Sequence, residues 1–219
     1  MLALQARVAS VLPEDQKSFF LPKDGLSLGK HFYRNKGRAI GVRDDRGELV
    51  GQSIVFEPTA GQPYKSVVDD PDQPAFAQMT VLQSVLVDPS ARKMKLMHKM
   101  VAAWMDDARE QGRTYATAEI ETANIGSWKG FLEEGMVLVG RGKDQRGRLS
   151  ASTGEIREKY MAVCRLDRPF TYDPDLTVSV KPDAYAEIGD LFESGWKCVK
   201  WDRQAQEMVF ARENDFQPR

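Results

Sequence analysis

Cysteine and histidine are scarce, with two of each in 219 residues. Cys164 and Cys198 lie far apart in apolar, strand-like contexts without the paired spacing of a zinc site. They read as buried thiols of a reducing compartment rather than a disulfide framework. His31 and His98 have no acidic or cysteine neighbours at ligand spacing, which argues against a zinc centre or a Cys-His catalytic pair. No apolar run approaches the length of a membrane span. Met1 to Leu12, interrupted by Gln5 and Arg7, lacks the continuous apolar region of a secretory signal, so the expected compartment is cytoplasmic. An excess of one charge is also missing. The 31 Lys and Arg against 32 Asp and Glu leave a net −1, so a nucleic acid or membrane contact would have to be a local patch. What remains, 42% hydrophobic and 29% charged, is an ordinary globular composition in a chain long enough to bury a substantial core.

The patterns that are present follow a definite order. Residues 26–35 fit a short helix carrying Leu28, Phe32 and Tyr33. Arg38 to Val42 and Glu48 to Pro58 read as a hairpin around Asp44-Asp45-Arg46-Gly47. Thr59 to Ala75, rich in proline, glycine and acid, is a long loop of the kind that forms lids or substrate walls. Ala77 to Val87 reads as a strand. Pro89 to Gln111 reads as the longest helix, with Leu96, Met100, Val101, Trp104, Met105 and Ala108 inward. Tyr115 to Glu121 alternates, with Tyr115, Thr117, Glu119 and Glu121 on one face. A helix from Asn124 to Glu134 stops at Gly135, and Met136 to Gly140 and Lys159 to Leu166 are strands around a polar loop, 143–156. Strand, helix, strand implies a parallel crossover between antiparallel hairpins.

After residue 166 the order strand (Thr177–Lys181), helix (Pro182–Ser194), hairpin (Gly195 to Arg212) repeats that of residues 115–165. Phe192-Glu193-Ser194-Gly195-Trp196 echoes Leu132-Glu133-Glu134-Gly135-Met136. A partial duplication and two independent segments with common capping signals both account for it.

The most informative stretch follows Val85-Leu86-Val87-Asp88-Pro89. There Arg92, Lys93, Lys95, His98 and Lys99, with Met94, Leu96 and Met97 between them, crowd the start of the long helix. Cations at the positive end of a helix dipole are unfavourable unless an anion sits among them on the free N–H groups. A solvated basic helix face is the other reading. The methionines Met94, Met97, Met100 and Met105 read as adaptable core packing. Arg141, Lys143, Arg146 and Arg148 form a basic loop, either a solvated hairpin or a grip on an anion.

From Gly37 to Leu166 these features together resemble the GNAT-type N-acetyltransferases. Val87-Asp88-Pro89 and Arg92 fall where that family has Val-x-Pro and its Arg/Gln-x-x-Gly-x-Gly/Ala phosphate loop. Ala118-Glu119-Ile120, then Asn124, Ser127, Phe131, Gly135 and Met136, fall on its later strand and Asn-x-x-Ala-x-x-x-Tyr-x-x-x-Gly-Phe helix. The resemblance implies an α/β fold, a mixed, mostly antiparallel sheet with flanking helices. Residues 1–166 would be the acyltransferase domain and 167–219 a β-α-β-β extension packed on it. It implies acetyl transfer from acetyl-CoA to a primary amine on a small molecule or peptide, without metal, membrane or nucleic acid, and leaves a homodimer open.

The resemblance also implies roles. Val85, Leu86 and Val87 would offer backbone to the pantetheine arm, and residues 92–98 would cradle phosphate. Asn124, also a natural helix N-cap, would contact the donor. Glu119, or Glu121 on the same face, would deprotonate the amine. Two departures cut against this. The loop glycines are Lys95 and Met97, and the usual tyrosine is Phe131, which has no proton to give. Ser127 or water would have to protonate the leaving thiolate. A non-catalytic binding module and a transferase using another activated donor, such as an aminoacyl-tRNA, are the rival readings.

Overall fold

Alternating apolar residues and a turn at Asp44–Gly47 build the first hairpin, β1 (Arg38–Arg43) against β2 (Leu49–Phe56). The computed structural model describes residues 1–219 except 14–16, 18–21, 35–36, 146, 150–153 and 215–219. The further strands are β3 (Met79–Val87), β4 (Tyr115–Glu121), β5 (Val137–Lys143), β6 (Glu158–Arg165), β7 (Thr177–Val180), β8 (Lys197–Asp202) and β9 (Glu207–Ala211). They form one nine-stranded sheet in the order β1-β2-β3-β4-β6-β5-β8-β9-β7. Only β3 and β4 run parallel, as the crossover predicts.

The helices are α1 (Leu2–Val11), α2 (Gly25–Gly29), α3 (Leu96–Glu110), α4 (Ile125–Glu133) and α5 (Tyr185–Glu193). Along α3, Leu96, Met100, Val101, Trp104, Met105 and Ala108 are the buried residues, the stripe read from the sequence. Of these, Val101, Trp104 and Met105 pack with Ala116, Ala118 and Ile120 of β4 and with Trp128, Phe131 and Leu132 of α4 in the main core. Of the two free cysteines, Cys198 is buried as read and its burial pushes the thiol up to about 12, whereas Cys164 is half-buried. Among the described residues no helix is long and apolar enough to cross a membrane.

Three local differences from the sequence reading matter. The stretch at 26–35 is α2 followed by a π-helical turn, Lys30–Arg34, with Leu28 buried and Tyr33 exposed; residue 35 lies outside the described residues. Residues 2–11, to which the sequence reading assigns no element, form α1, whose Leu4 and Val8 pack on Leu86 of β3.

The long helix starts at Leu96 rather than after Pro89. Pro89–Ala91 make one 3₁₀ turn, Arg92 is extended, and Lys93 and Lys95 are left-handed at φ 70° and 56°. The core imposes this break, because Ala91 and Leu96 are both buried in one cluster with Val50. On an unbroken helix five residues turn the side chain by about 140°, so both would not face the same core.

The extension continues the sheet, with β5 meeting β8 antiparallel at Leu138↔Cys198. One offset in numbering relates Asn124 to Ala184, Gly135 to Gly195 and Leu138 to Cys198. The matched helix ends also share geometry: the N-caps lie at φ −85°, ψ 67° and φ −79°, ψ 61°, and the glycines at φ 80° and 79°. The sequence echo at 132–136 and 192–196 is thus one helix ending, built twice.

Candidate functional site

The parallel pair β3 and β4 ends early. Its register runs from Met79↔Tyr115 to Leu82↔Ala118, while β4 continues on β6 to Glu121↔Lys159. From Gln83 onward the β3 edge that faces β4 has left the ladder. Ser84, at φ 54° where the β2–β3 register shifts, marks the bulge that turns it away. A cleft that opens at the carboxyl ends of parallel strands is where open α/β sheets place ligands. Val85, Leu86 and Val87 lie on β3 beyond the end of that pairing.

The two segments that follow these strands flank the cleft. After β3 comes the basic turn, tied down by Asp88. Its carboxylate accepts from Ser90 N (3.0 Å), Ser90 Oγ (2.7 Å) and Arg7 Nε (2.6 Å). Those hydrogen bonds from Ser90 and Arg7 hold it down to about 2. Arg92, Lys93, Met94 and Lys95 are exposed there, and Lys95 occupies the N-cap of α3 without any side-chain cap. The first N–H groups of α3 thus point outward uncapped beside three cations, an arrangement that suits an anion.

After β4 comes α4. Asn124 caps it by accepting from Ser127 N (3.3 Å), and Ser127 is half-buried.

The other candidates are directed elsewhere. His98 does not face the turn: its Nδ1 is 2.7 Å from Glu134 and its Nε2 3.5 Å from Glu133, at the end of α4. Leu96 is core. Met97 packs on α4 at Gly130, where an added Cβ would lie 2.9 Å from Met97 Cε. Phe131 is buried in the main core. Of the basic loop, Arg146 lies outside the described residues. Arg141 stacks 5.7 Å from the Tyr185 ring, and Arg148 is paired with Asp144.

The two glutamates on the far face of β4 differ in their surroundings. Glu119 is fully engaged: Oε1 accepts from Tyr64 Oη (3.0 Å) and Val67 N (3.1 Å), and Oε2 is 2.9 Å from Lys159 Nζ. The first two contacts come from the loop of residues 59–75, which lies along the sheet as a strap, and the third from β6. Val67 and Val68 press onto Gly142 and Gly140 of β5, Asp70 accepts from the Tyr115 hydroxyl, and Asp72 pairs with Arg165. Burial next to Glu119 drives the Tyr64 phenol well above its usual value.

Glu121 stands nearer the cleft with one close cation, Arg157, at 3.3 Å. Burial raises its carboxyl above the ordinary value, against the pull of Arg157, Lys159 and Arg148. Sequence alternation places both glutamates on one face but carries no sign of the strap that separates their roles.

A cavity of about 510 Å³ lies at the opposite end of β4 and β6, lined by Arg109, Cys164, Arg165, Phe170, Tyr172 and Lys197 among others. Two of its cations are matched by carboxylates that also line it, Arg165 by Asp72 and Lys197 by Glu213 at 2.9 Å each. Among the described residues, no group of three or more His, Cys, Asp or Glu side chains is placed to hold a metal ion.

No known family's sequence pattern matches the chain, and no curated protein matches it in sequence. Solved structures do match in fold. A ribosomal-protein-alanine N-acetyltransferase from Brucella melitensis shares 18% identity over 74% of this chain and 92% of its own, with a TM-score of 0.54. An N-acetyltransferase from Staphylococcus aureus Mu50 shares 14% over 76% and 90%, with a TM-score of 0.53. The yncA protein of Salmonella typhimurium, solved with its cofactor acetyl-CoA, shares 15% over 80% and 95%, also at 0.53. The chain has the fold of the GNAT-type N-acetyltransferases.

Proposed function

We propose that the chain is an acyl-CoA-dependent N-acyltransferase that moves an acetyl group from acetyl-CoA to a primary amine within a ternary complex. The observation that carries this reading is the cleft between β3 and β4, bordered by the uncapped N-terminus of α3 and the cations Arg92, Lys93 and Lys95. Lys95 has the left-handed backbone that glycine adopts most easily, which supports a phosphate-binding turn here without glycine. Met97, the other replacement, directs its side chain onto α4, away from the turn. The backbone of Val85–Val87 would hold the pantetheine arm, and Asn124 and Ser127 would border it from α4.

Glu121 is the preferred base of the two glutamates, because Glu119 already holds Tyr64, Val67 and Lys159 while Glu121 has one close cation. It takes the ammonium proton, the freed nitrogen attacks the thioester carbonyl, and the carbon–sulfur bond breaks. The thiolate then leaves and is protonated by water or Ser127, since Phe131 cannot donate, and the acylated nitrogen gives up its second proton to water. A thiol of pKa about 8.5 leaves at modest cost, so the missing acid slows the step without preventing it. In this reading residues 1–166 form the acyltransferase domain, and 167–219 are an extension packed on it.

The test is a melting experiment with acetyl-CoA and with dephosphorylated acetyl-pantetheine, paired with an assay of CoA release against a panel of amines. Acetyl-CoA should raise the melting temperature well beyond its pantetheine counterpart, and CoA release should depend on an amine. Equal or absent shifts, with no release, would remove the donor from the reading.

A further inference from the structure

The acceptor's chemistry can be inferred from Arg157, on the understanding that this rests on the acyltransferase reading. Arg157 lies just before β6, beyond the end of β4, on the face of the sheet that carries Glu119, Glu121 and Lys159. Its backbone is held on both sides, donating to Arg148 O (2.8 Å) and accepting from Asp144 N (2.7 Å). Its side chain is 4% exposed. Nε stands 3.3 Å from Glu121 Oε1 without the alignment of a hydrogen bond, and Nη2 has no partner. The neighbouring cations are matched, Lys159 by Glu119 (2.9 Å) and Asp144 (3.1 Å), and Arg148 by Asp144.

A buried guanidinium with open donors is unfavourable on its own. Its planar fork is shaped for a carboxylate, which it binds through two parallel hydrogen bonds. Next to it stands the carboxylate that takes the amine proton. A negative and a positive group side by side mirror an ammonium and a carboxylate carried on one carbon. We propose that the acceptor is a small α-amino acid or close zwitterionic analogue. Its carboxylate binds Arg157 while its amine faces Glu121. The amine nitrogen gains the acetyl carbon and sulfur loses it as thiolate; Glu121 takes the ammonium's first proton before attack, and the second leaves the acylated nitrogen for water. A diamine would bring a second cation toward Arg157, and a peptide N-terminus would bring a neutral carbonyl, so neither completes the pair.

The experiment uses the full chain, acetyl-CoA, and matched acceptors: several L-amino acids, their amides, and a diamine. The amide carries the less basic amine, so amine availability alone would favour it. The wild type should prefer the acids by about 10²-fold in kcat/KM. Arg157→Gln should abolish that preference, and Arg157→Lys should keep a fraction of it, each with the acetyl-CoA melting shift intact. Acids and amides used alike, a preference that survives Arg157→Gln, or transfer to the diamine alone would overturn the proposal and leave the donor reading standing. Absence of both the acetyl-CoA shift and any transfer would overturn both. If Arg157→Gln fails to fold, the acid-to-amide ratio of the wild type decides.

Discussion

Glu119 and Glu121 are two residues apart on one strand, yet their environments assign them different work. Glu119 accepts from a phenol, a backbone N–H and an ammonium, so one oxygen holds the strap and the other faces Lys159 of β6. Glu121 has one poorly aligned cation and a carboxyl raised by burial, which moves it toward the basicity that amine deprotonation uses. Glu121→Gln should keep the fold and the acetyl-CoA melting shift and lower turnover by roughly 10²–10⁴-fold. Because the base works ionised, wild-type activity should fall as pH drops through a value above the ordinary 4.5 of a glutamate. That acidic limb should vanish in the variant, whose residual rate should climb with pH as free amine accumulates. Glu119→Gln sets an amide N–H₂ against Lys159 and should lose stability by about 1–2 kcal/mol while kcat changes only a few-fold. If Glu119→Gln abolished turnover with an unchanged melting curve, the two roles would be reversed.

At the scale of the element, the strap is held as much by what the sheet omits as by what the loop carries. Gly142 and Gly140 of β5 lie under Val67 and Val68. A Cβ on Gly142 would collide with the backbone carbonyl of Val67, and one on Gly140 would come 2.6 Å from Val68 Cγ1. Backbone yields less readily than a side-chain tip. Gly142→Ala should therefore lift the strap and destabilise the protein by about 1–3 kcal/mol, and proteolytic cuts should appear first within residues 59–75. Unchanged stability and an uncut loop would mean that the strap does not rest on this contact.

The strap also marks how far the sequence could be read. The alternation 115–121 and the stripe along 96–108 were legible because each records a single period against one core. The glycines at 140 and 142 read only as gaps in a strand, since what fills them comes from about seventy residues upstream along the chain. The break before α3 was hidden for a similar reason. Pro89 and the residues after it have acceptable helix propensity, and only the joint burial of Ala91 and Leu96 forces the turn that carries Lys93 and Lys95. Within the candidate site, the basic cluster and the Asn124 cap were visible as local chemistry. The diversion of His98 to Glu134, and the two guanidinium nitrogens of Arg157 left without hydrogen bonds beside Glu121, depend on where α4 and β6 come to rest.

At the scale of the molecule, the question is whether the extension is an appendage or part of one cooperative structure. The joint between β5 and β8 is covered on the helix side by Trp128 against Trp201 (5.4 Å between centroids), Tyr160 against Phe192 (6.1 Å) and Phe192 against Phe210 (5.3 Å). These rings, with Ile188, Cys198 and Met208, belong to the same apolar cluster as Val101 and Trp104 of α3. Opening the joint would uncover aromatic surface on both sides at once, so it should open only when the whole sheet does. Cys198 is a built-in reporter, because it is fully buried opposite Leu138 and its thiol is held up to about 12 by that burial. In a urea series at mild alkaline pH, alkylation of Cys198 should follow the same curve as loss of secondary structure, and a fragment ending at residue 166 should aggregate or unfold. Labelling of Cys198 at urea concentrations that leave the circular dichroism unchanged would show the extension opening on its own. A soluble 1–166 fragment with the parent melting temperature would agree with that outcome. Either result would make β5, with Leu138 uncovered, an edge available to other strands.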